Sequence, residues 1–292
     1  MGLTRRLFLR SGLAAAGGWL AAPSAPASAT PSPEDPYTAA SSGGAEVNQR
    51  LAIVNADDLG MSAEIDRGIF EGFDRGIVTS ASLLVDSPHA HEAVHQVRRR
   101  ADVSLGLHVA FDQRGRWLVN MQDPRAVQRE LDRQLEAFVR LTGGPPTHID
   151  SHHHAHRLFN VAWQFLEAGA RYHCPVRGFS EVFFVGRFWG QPEFGRTDVT
   201  KISAESLASI FKALGPGVSE ISCHPGRMES RPDAWYNRER EVELQSLCDA
   251  KVKAAIAAEG IRLISFREYR HVASTTARHM LASGCRPTAS SH

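Results

Sequence analysis

From Leu51 onward, apolar runs alternate with amphipathic stretches along the chain. Residues 51–56 form a nearly unbroken apolar run and predict a strand buried on both faces, 64–75 carry helical spacing closed by Gly76, and 77–85 predict a second strand. Residues 91–100 read as a helix and 103–110 as a third strand. Asp123 caps a helix with Pro124 at its first position and Val127, Leu131, Leu135 and Phe138 on one face, ending at Gly143. Residues 147–151 predict a fourth strand, 161–170 a helix, 176–185 a fifth strand, 203–214 a helix capped by Ser203, and 218–223 a sixth strand. One long helix is expected from Pro232 or Tyr236 to Glu259; Glu239, Glu241 and Glu243 come early in it and Lys251 and Lys253 late, in accord with the helix dipole. Residues 261–266 give a seventh strand. Strands alternating with helices predict a parallel α/β sheet, expected here as a single-domain, seven-stranded β/α barrel, with an open doubly wound sheet as the alternative.

In either architecture, sites form where parallel strands end. Asn55-Ala56-Asp57-Asp58 follow the first strand, His108 the third, Asp150 to His154 the fourth and His224 the sixth. Five of the 14 histidines lie between Thr147 and His156, a density suited to a metal site. Adjacent carboxylates such as Asp57 and Asp58 point in different directions, so one can hold a cation while the other handles a proton; the competing reading makes them a cap or turn before Gly60, with Ser62 as rival cap. Two imidazoles and a carboxylate with open positions form a hydrolytic metal set, which lowers the pKa of a water and polarises a carbonyl. His224, in Cys223-His224-Pro225-Gly226, suits protonation of a leaving amine.

A net charge of +1 offers no basic stripe for nucleic acid, and no stretch after the first thirty residues can span a membrane. Arg5-Arg6, a short apolar Gly/Ala segment and Ala27-Ser28-Ala29 read as a twin-arginine export signal over residues 1–29, so the mature protein is expected in the periplasm or secreted. Residues 30–49 read as a flexible linker, 50–270 as the folded domain and 271–292 as a tail; a homodimer is compatible with this organisation.

Asn55 to Ser62, Gly76-Ile77-Val78-Thr79-Ser80, Gly106-Leu107-His108, Thr147 to His154 and Cys223 to Gly226, in this order, resemble the YdjC-like carbohydrate deacetylases, which include chitooligosaccharide deacetylases and hopanoid-associated members. The resemblance implies a distorted NodB/YdjC-type barrel that deacetylates an N-acetylated sugar with one divalent metal ion, Mg2+ or Zn2+. Carried over by motif, Asp58, His108 and His152 look like ligands, Asp57 like the base and His224 like the acid. Asp150 looks like a partner behind the ligands, the residues themselves permit His154 as a ligand, and Arg227 stands where family members often carry an aromatic. The segment from Val109 to Trp117 also departs from the usual pattern.

Two other readings compete. His91-Glu92-Ala93-Val94-His95 satisfies the zinc-protease H-E-x-x-H pattern but has no matching third ligand downstream, and reads rather as an amphipathic barrel helix with solvated histidines. A non-catalytic sugar-binding protein on the same scaffold is the other. Cys223 reads as structural, and Trp117, Phe188, Trp189 and Trp235 are candidates either for sugar stacking or for packing.

Overall fold

The computed structural model describes residues 49–100, 103–113, 116–193, 195–230 and 236–270. The export signal, most of the linker, the tail and Trp235 lie outside them.

Strand β1 (Arg50–Leu59) is buried from Leu51 to its end and runs through the middle of a seven-stranded parallel sheet. It is followed by α1 (Ala63–Arg75), β2 (Ser80–Leu83), α2 (Ala90–Arg98) and β3 (Ser104–Val109). A two-residue hairpin, β4 (Asp112–Gln113) and β5 (Arg116–Trp117), leads to α3 (Pro124–Thr142) and β6 (Ile149–Ser151). A 3-10 turn over His152–Arg157 precedes α4 (Ala162–Tyr172) and β7 (Phe183–Val185). A second 3-10 turn (Val199–Ile202), α5 (Ala204–Lys212), β8 (Gly217–Cys223), α6 (Asn237–Cys248), α7 (Ala250–Ala258) and β9 (Arg262–Leu263) complete the order.

The strands lie in the order β6-β3-β2-β1-β8-β7, and β9 pairs with the first residues of β1, while β2 pairs with its last. Parallel strands joined by helices give a curled α/β half-barrel, as the alternation predicts. The strand expected over 176–185 is cut in two. Val176 makes a single bridge to Ile149, Arg177 turns its guanidinium into the interior, Gly178 adopts φ 71°, and only Phe183–Val185 pairs with β8. The long helix expected up to Glu259 is also broken: Asp249 is extended (φ −69°, ψ 135°) and caps α7 by accepting from the Lys251 N–H.

Helix α1 is capped by Ser62, whose hydroxyl accepts from Ile65, which frees Asp57 and Asp58 from a capping role. Its Gly68 packs so closely on Gly226 that any Cβ there would overlap the backbone, so α1 seats the His224-Pro225-Gly226 loop directly. Asp66, on the same helix, accepts the Gly60 N–H at 2.6 Å. Burial, opposed by that bond and reinforced by Glu92, pushes its carboxyl up to about 7. A carboxyl raised above its unfolded value of 3.8 gives its full stabilising contribution below that pH and loses it as the pH climbs through about 7. Asp66→Asn, which keeps an acceptor, should therefore melt above the parent at pH 8 and level with it at pH 4; a difference that does not change with pH would refute this.

Candidate metal centre at the strand ends

Between Ala56 and Leu59 the register of β1 against β2 slips, with Asp57 and Asp58 in the bulge. Asp58 has φ 70°, a left-handed backbone that non-glycine residues seldom adopt, and both carboxylates are buried. The bulge is what lets adjacent side chains serve one pocket. In the parallel pair β3–β6, His108 stands beside Asp150, and the register sets His108 Nδ1 at 2.8 Å from Asp150 Oδ1. Ser82 of β2 donates to Asp150 Oδ2 at 3.0 Å, and the Asn55 amide donates to Asp57 Oδ1 at 2.9 Å.

Arg177 organises the floor. Its two terminal nitrogens grip Asp57 at 2.7 Å each, Nη2 is also 2.7 Å from Asp150, and Nε donates to Glu220 at 2.8 Å, all of them buried. Burial alone would raise the Asp57 carboxyl, but the guanidinium overrides it and holds Asp57 below its usual range; Asp150 is depressed in the same way. Glu220, for which burial outweighs the same arginine, is pushed up to about 7.

A second arginine, Arg240 of α6, donates to Asp58 Oδ2 at 2.6 Å. Three residues on, Glu243 accepts the backbone N–H of His224 at 2.5 Å and the Tyr236 hydroxyl at 2.6 Å. The His224 ring lies edge-on to Trp189 and Tyr236, which stack on each other 4.1 Å apart, and its Nε2 is 3.7 Å from Asp57 Oδ2. Burial, opposed by Asp57 and Asp58, lowers its pKa to about 4, so the resting imidazole is uncharged at neutral pH.

The donor set fits a cation. Asp58 Oδ1 is buried without a hydrogen-bond partner among the described residues and faces His108 Nε2 at 3.3 Å. With the Nδ1 proton of His108 assigned to Asp150, Nε2 turns a lone pair toward a carboxylate oxygen, and only a proton or a cation reconciles two facing acceptors. Burial would lower the His108 pKa, but Asp150, Asp58 and Asp57 together raise it to about 10, the signature of a site that keeps a positive charge. His152 lies edge-on to His108, with ring centroids 5.8 Å apart, and its Nδ1 is 3.1 Å from Asp112 Oδ1. Each imidazole is thus backed by its own carboxylate, the arrangement that orients metal-binding histidines. The tight three-donor clusters among the described residues are Asp112 with His152 and His153, and Asp57 with His108 and Asp150; Asp58 belongs to neither, and Arg177 already occupies the face that Asp57 and Asp150 share.

A family model described as YdjC-like protein matches residues 51–258. The chain belongs to the YdjC-like family. It is 32% identical over 252 residues to a carbohydrate deacetylase of Geobacillus stearothermophilus, covering 75% of this chain and 98% of the relative. It is 28% identical over 271 residues to a chitooligosaccharide deacetylase of Serratia marcescens, covering 75% of this chain and 99% of that one. A crystal structure titled as a putative cellobiose-phosphate cleavage protein from Enterococcus faecalis shares the fold at a TM-score of 0.65 and 25% identity, over 76% of this chain and 99% of that chain.

Within this YdjC-like protein, the expected site residues Asp57, Asp58, His108, Asp150, His152 and His224 converge. His154 goes elsewhere: it lies edge-on to Phe184 and His156, and burial lowers its pKa to about 4. His153 and His154 both carry left-handed backbone (φ 54° and 52°), and this kink sends successive rings in different directions. His148, two residues before Asp150 and so on the same face one step deeper, stacks on Phe266 at 3.9 Å, and any side chain at Gly106 would strike its ring. Arg227 is engaged away from the centre by Glu71 (3.0 Å) and Glu241 (3.1 Å). His91, Glu92 and His95 are exposed on α2, and the metal-competent clusters among the described residues lie elsewhere. Cys223 is buried, with its thiol pushed well up by burial, as a structural cysteine should be. Sequence reasoning missed Arg177, Arg240, Glu243, Glu220 and Asp112.

Proposed function

We propose that this chain is a metal-dependent carbohydrate deacetylase that hydrolyses the acetamide of an N-acetylated amino sugar or a short chitooligosaccharide-like glycan. The observation that carries the reading is the buried pair of facing acceptors, Asp58 Oδ1 and His108 Nε2, flanked by His152 on one side and by Asp57 and His224 on the other. The deacetylases among its relatives support the substrate class.

Asp58, His108 and His152 would hold one divalent cation, and two nitrogen donors suit zinc better than magnesium. Such an ion supplies Lewis acidity to an acetamide carbonyl and acidity to a water. Asp57, kept ionised by Arg177, accepts the proton of the attacking water. His224, uncharged at rest and 3.7 Å from Asp57, can take up that proton and deliver it to the departing nitrogen. His224→Ala should keep its metal and lose turnover by about 100-fold to 10,000-fold, the usual worth of general acid–base catalysis. Full activity in that variant would remove His224 from the mechanism.

A cation displaces the proton that the raised pKa of His108 implies. Zinc titrated into the metal-free protein at pH 7 should release about one proton, and affinity should rise with pH up to about 10. Calorimetry in buffers of differing ionisation enthalpy reads this directly; uptake with no proton released would contradict it. The decisive test of the function is acetate release across a panel of N-acetylated glycans with added zinc or magnesium. The twin-arginine motif at Arg5-Arg6 supports export of the enzyme, to be tested by fractionating cells that express the full chain.

A further inference from the structure

The centre described above leaves open what holds the rest of the glycan. Phe188 is buried, and Trp189 spends one face on Tyr236 and an edge on His224. The hairpin β4–β5 differs. Asp112, which fixes His152, is paired directly with Trp117 across this antiparallel ladder. Directly opposed residues project from the same face of a ladder, with Cβ atoms about 4.5–5.5 Å apart. The indole therefore stands on the face that Asp112 turns toward His152, yet it is 53% exposed.

The hairpin is also held firmly at its root. The Gln134 side chain of α3 bonds both backbone groups of Ala110, accepting at 3.0 Å and donating at 2.7 Å. Leu118 N–H donates to Phe111 carbonyl at 2.8 Å, and Phe111 is buried edge-on to Phe165. An exposed indole on a clamped support beside a metal ligand loses little freedom when a ring lies on it, which is how aromatic anchors bind cheaply.

We propose that Trp117 is the stacking platform for a pyranose ring of the glycan, adjoining the acetamide held at the metal centre. This deepens the deacetylase reading and rests on it for the identity of the ligand. One side chain pair, Asp112 and Trp117, then couples the grip on the sugar to the orientation of His152.

The test is chitotriose binding by calorimetry to the zinc-loaded wild type, Trp117→Ala and Trp117→Phe. The alanine variant should bind about tenfold more weakly and the phenylalanine variant should recover most of that loss, with bound zinc unchanged in both. Tryptophan fluorescence should shift on binding in the wild type, and most of the shift should vanish in Trp117→Phe. Equal affinity in wild type and Trp117→Ala, or no binding by the wild type, overturns the platform. Acetate release from the same trimer judges the other reading separately. A protein that binds through Trp117 and releases no acetate keeps the platform and ends the deacetylase assignment, whereas acetate release with affinity unaffected by Trp117→Ala does the reverse.

Discussion

Asp58→Ala is expected to lose both bound metal and acetate release, the latter to the level of uncatalysed hydrolysis. Asp58 is the carboxylate among the proposed ligands, and its Oδ1, buried 3.3 Å from His108 Nε2, is the oxygen that the proposal gives to the cation. The substitution also strands Arg240, whose Nη2 donates to Asp58 at 2.6 Å in the interior. Loss of fold and loss of metal must therefore be separated, and Asp58→Asn does so. The amide keeps the volume and an acceptor for Arg240, but brings no charge to the cation. Elemental analysis should find well under a tenth of the wild-type metal in either variant, while the asparagine variant melts closer to the wild type. Stoichiometric metal in Asp58→Asn would move the centre to another residue group.

The second large effect is on stability. Arg177→Met should cost about 3–5 kcal/mol, the range for removing one partner of a buried ionic network. Asp57, Asp150 and Glu220 would then share a dry site with no guanidinium among them. Urea unfolding should show the midpoint falling sharply at an unchanged slope. Glu220, already pushed up to about 7 beside the arginine, should be neutral without it, so adding Glu220→Gln to Arg177→Met should change stability little at pH 7. A marked gain in the double variant would show that Glu220 stays charged when the guanidinium is gone. Arg177→Lys should fall between wild type and methionine, because an ammonium cannot reach Asp57 in two places at once.

Most of the strands and the helix from Pro124 to Thr142 are legible because their apolar periodicity and caps agree, Asp123 and Gly143 bracketing the helix as read. The candidate site positions are legible for another reason: histidines and aspartates recur just where strands end. What stays hidden is the set of charges that faces inward. Arg177 sits in a stretch that reads as a strand, and the signal was that an arginine inside such a run must find acids or break it; it does both. Glu239 and Glu243 read as charges that suit the helix dipole, but they are buried, and α6 turns inward only a narrow apolar edge, Leu244 and Leu247, beside Arg240 and the two glutamates. A helix with so narrow an apolar edge, embedded in a domain, has to offer polar groups to a polar interior. The β4–β5 hairpin announces itself only by Arg114-Gly115, a weak turn signal in a segment that also departs from the familiar family pattern.

The glycine-to-glycine contact between Gly68 and Gly226 has a consequence for how the enzyme accommodates its substrates. Backbone wedged against backbone leaves no slack, so the loop bearing His224 cannot swing in when a sugar arrives. With His224 in the proposed proton-handling role, this wall would be a fixed anvil, and glycans of different shape would be met from the opposite rim of the mouth.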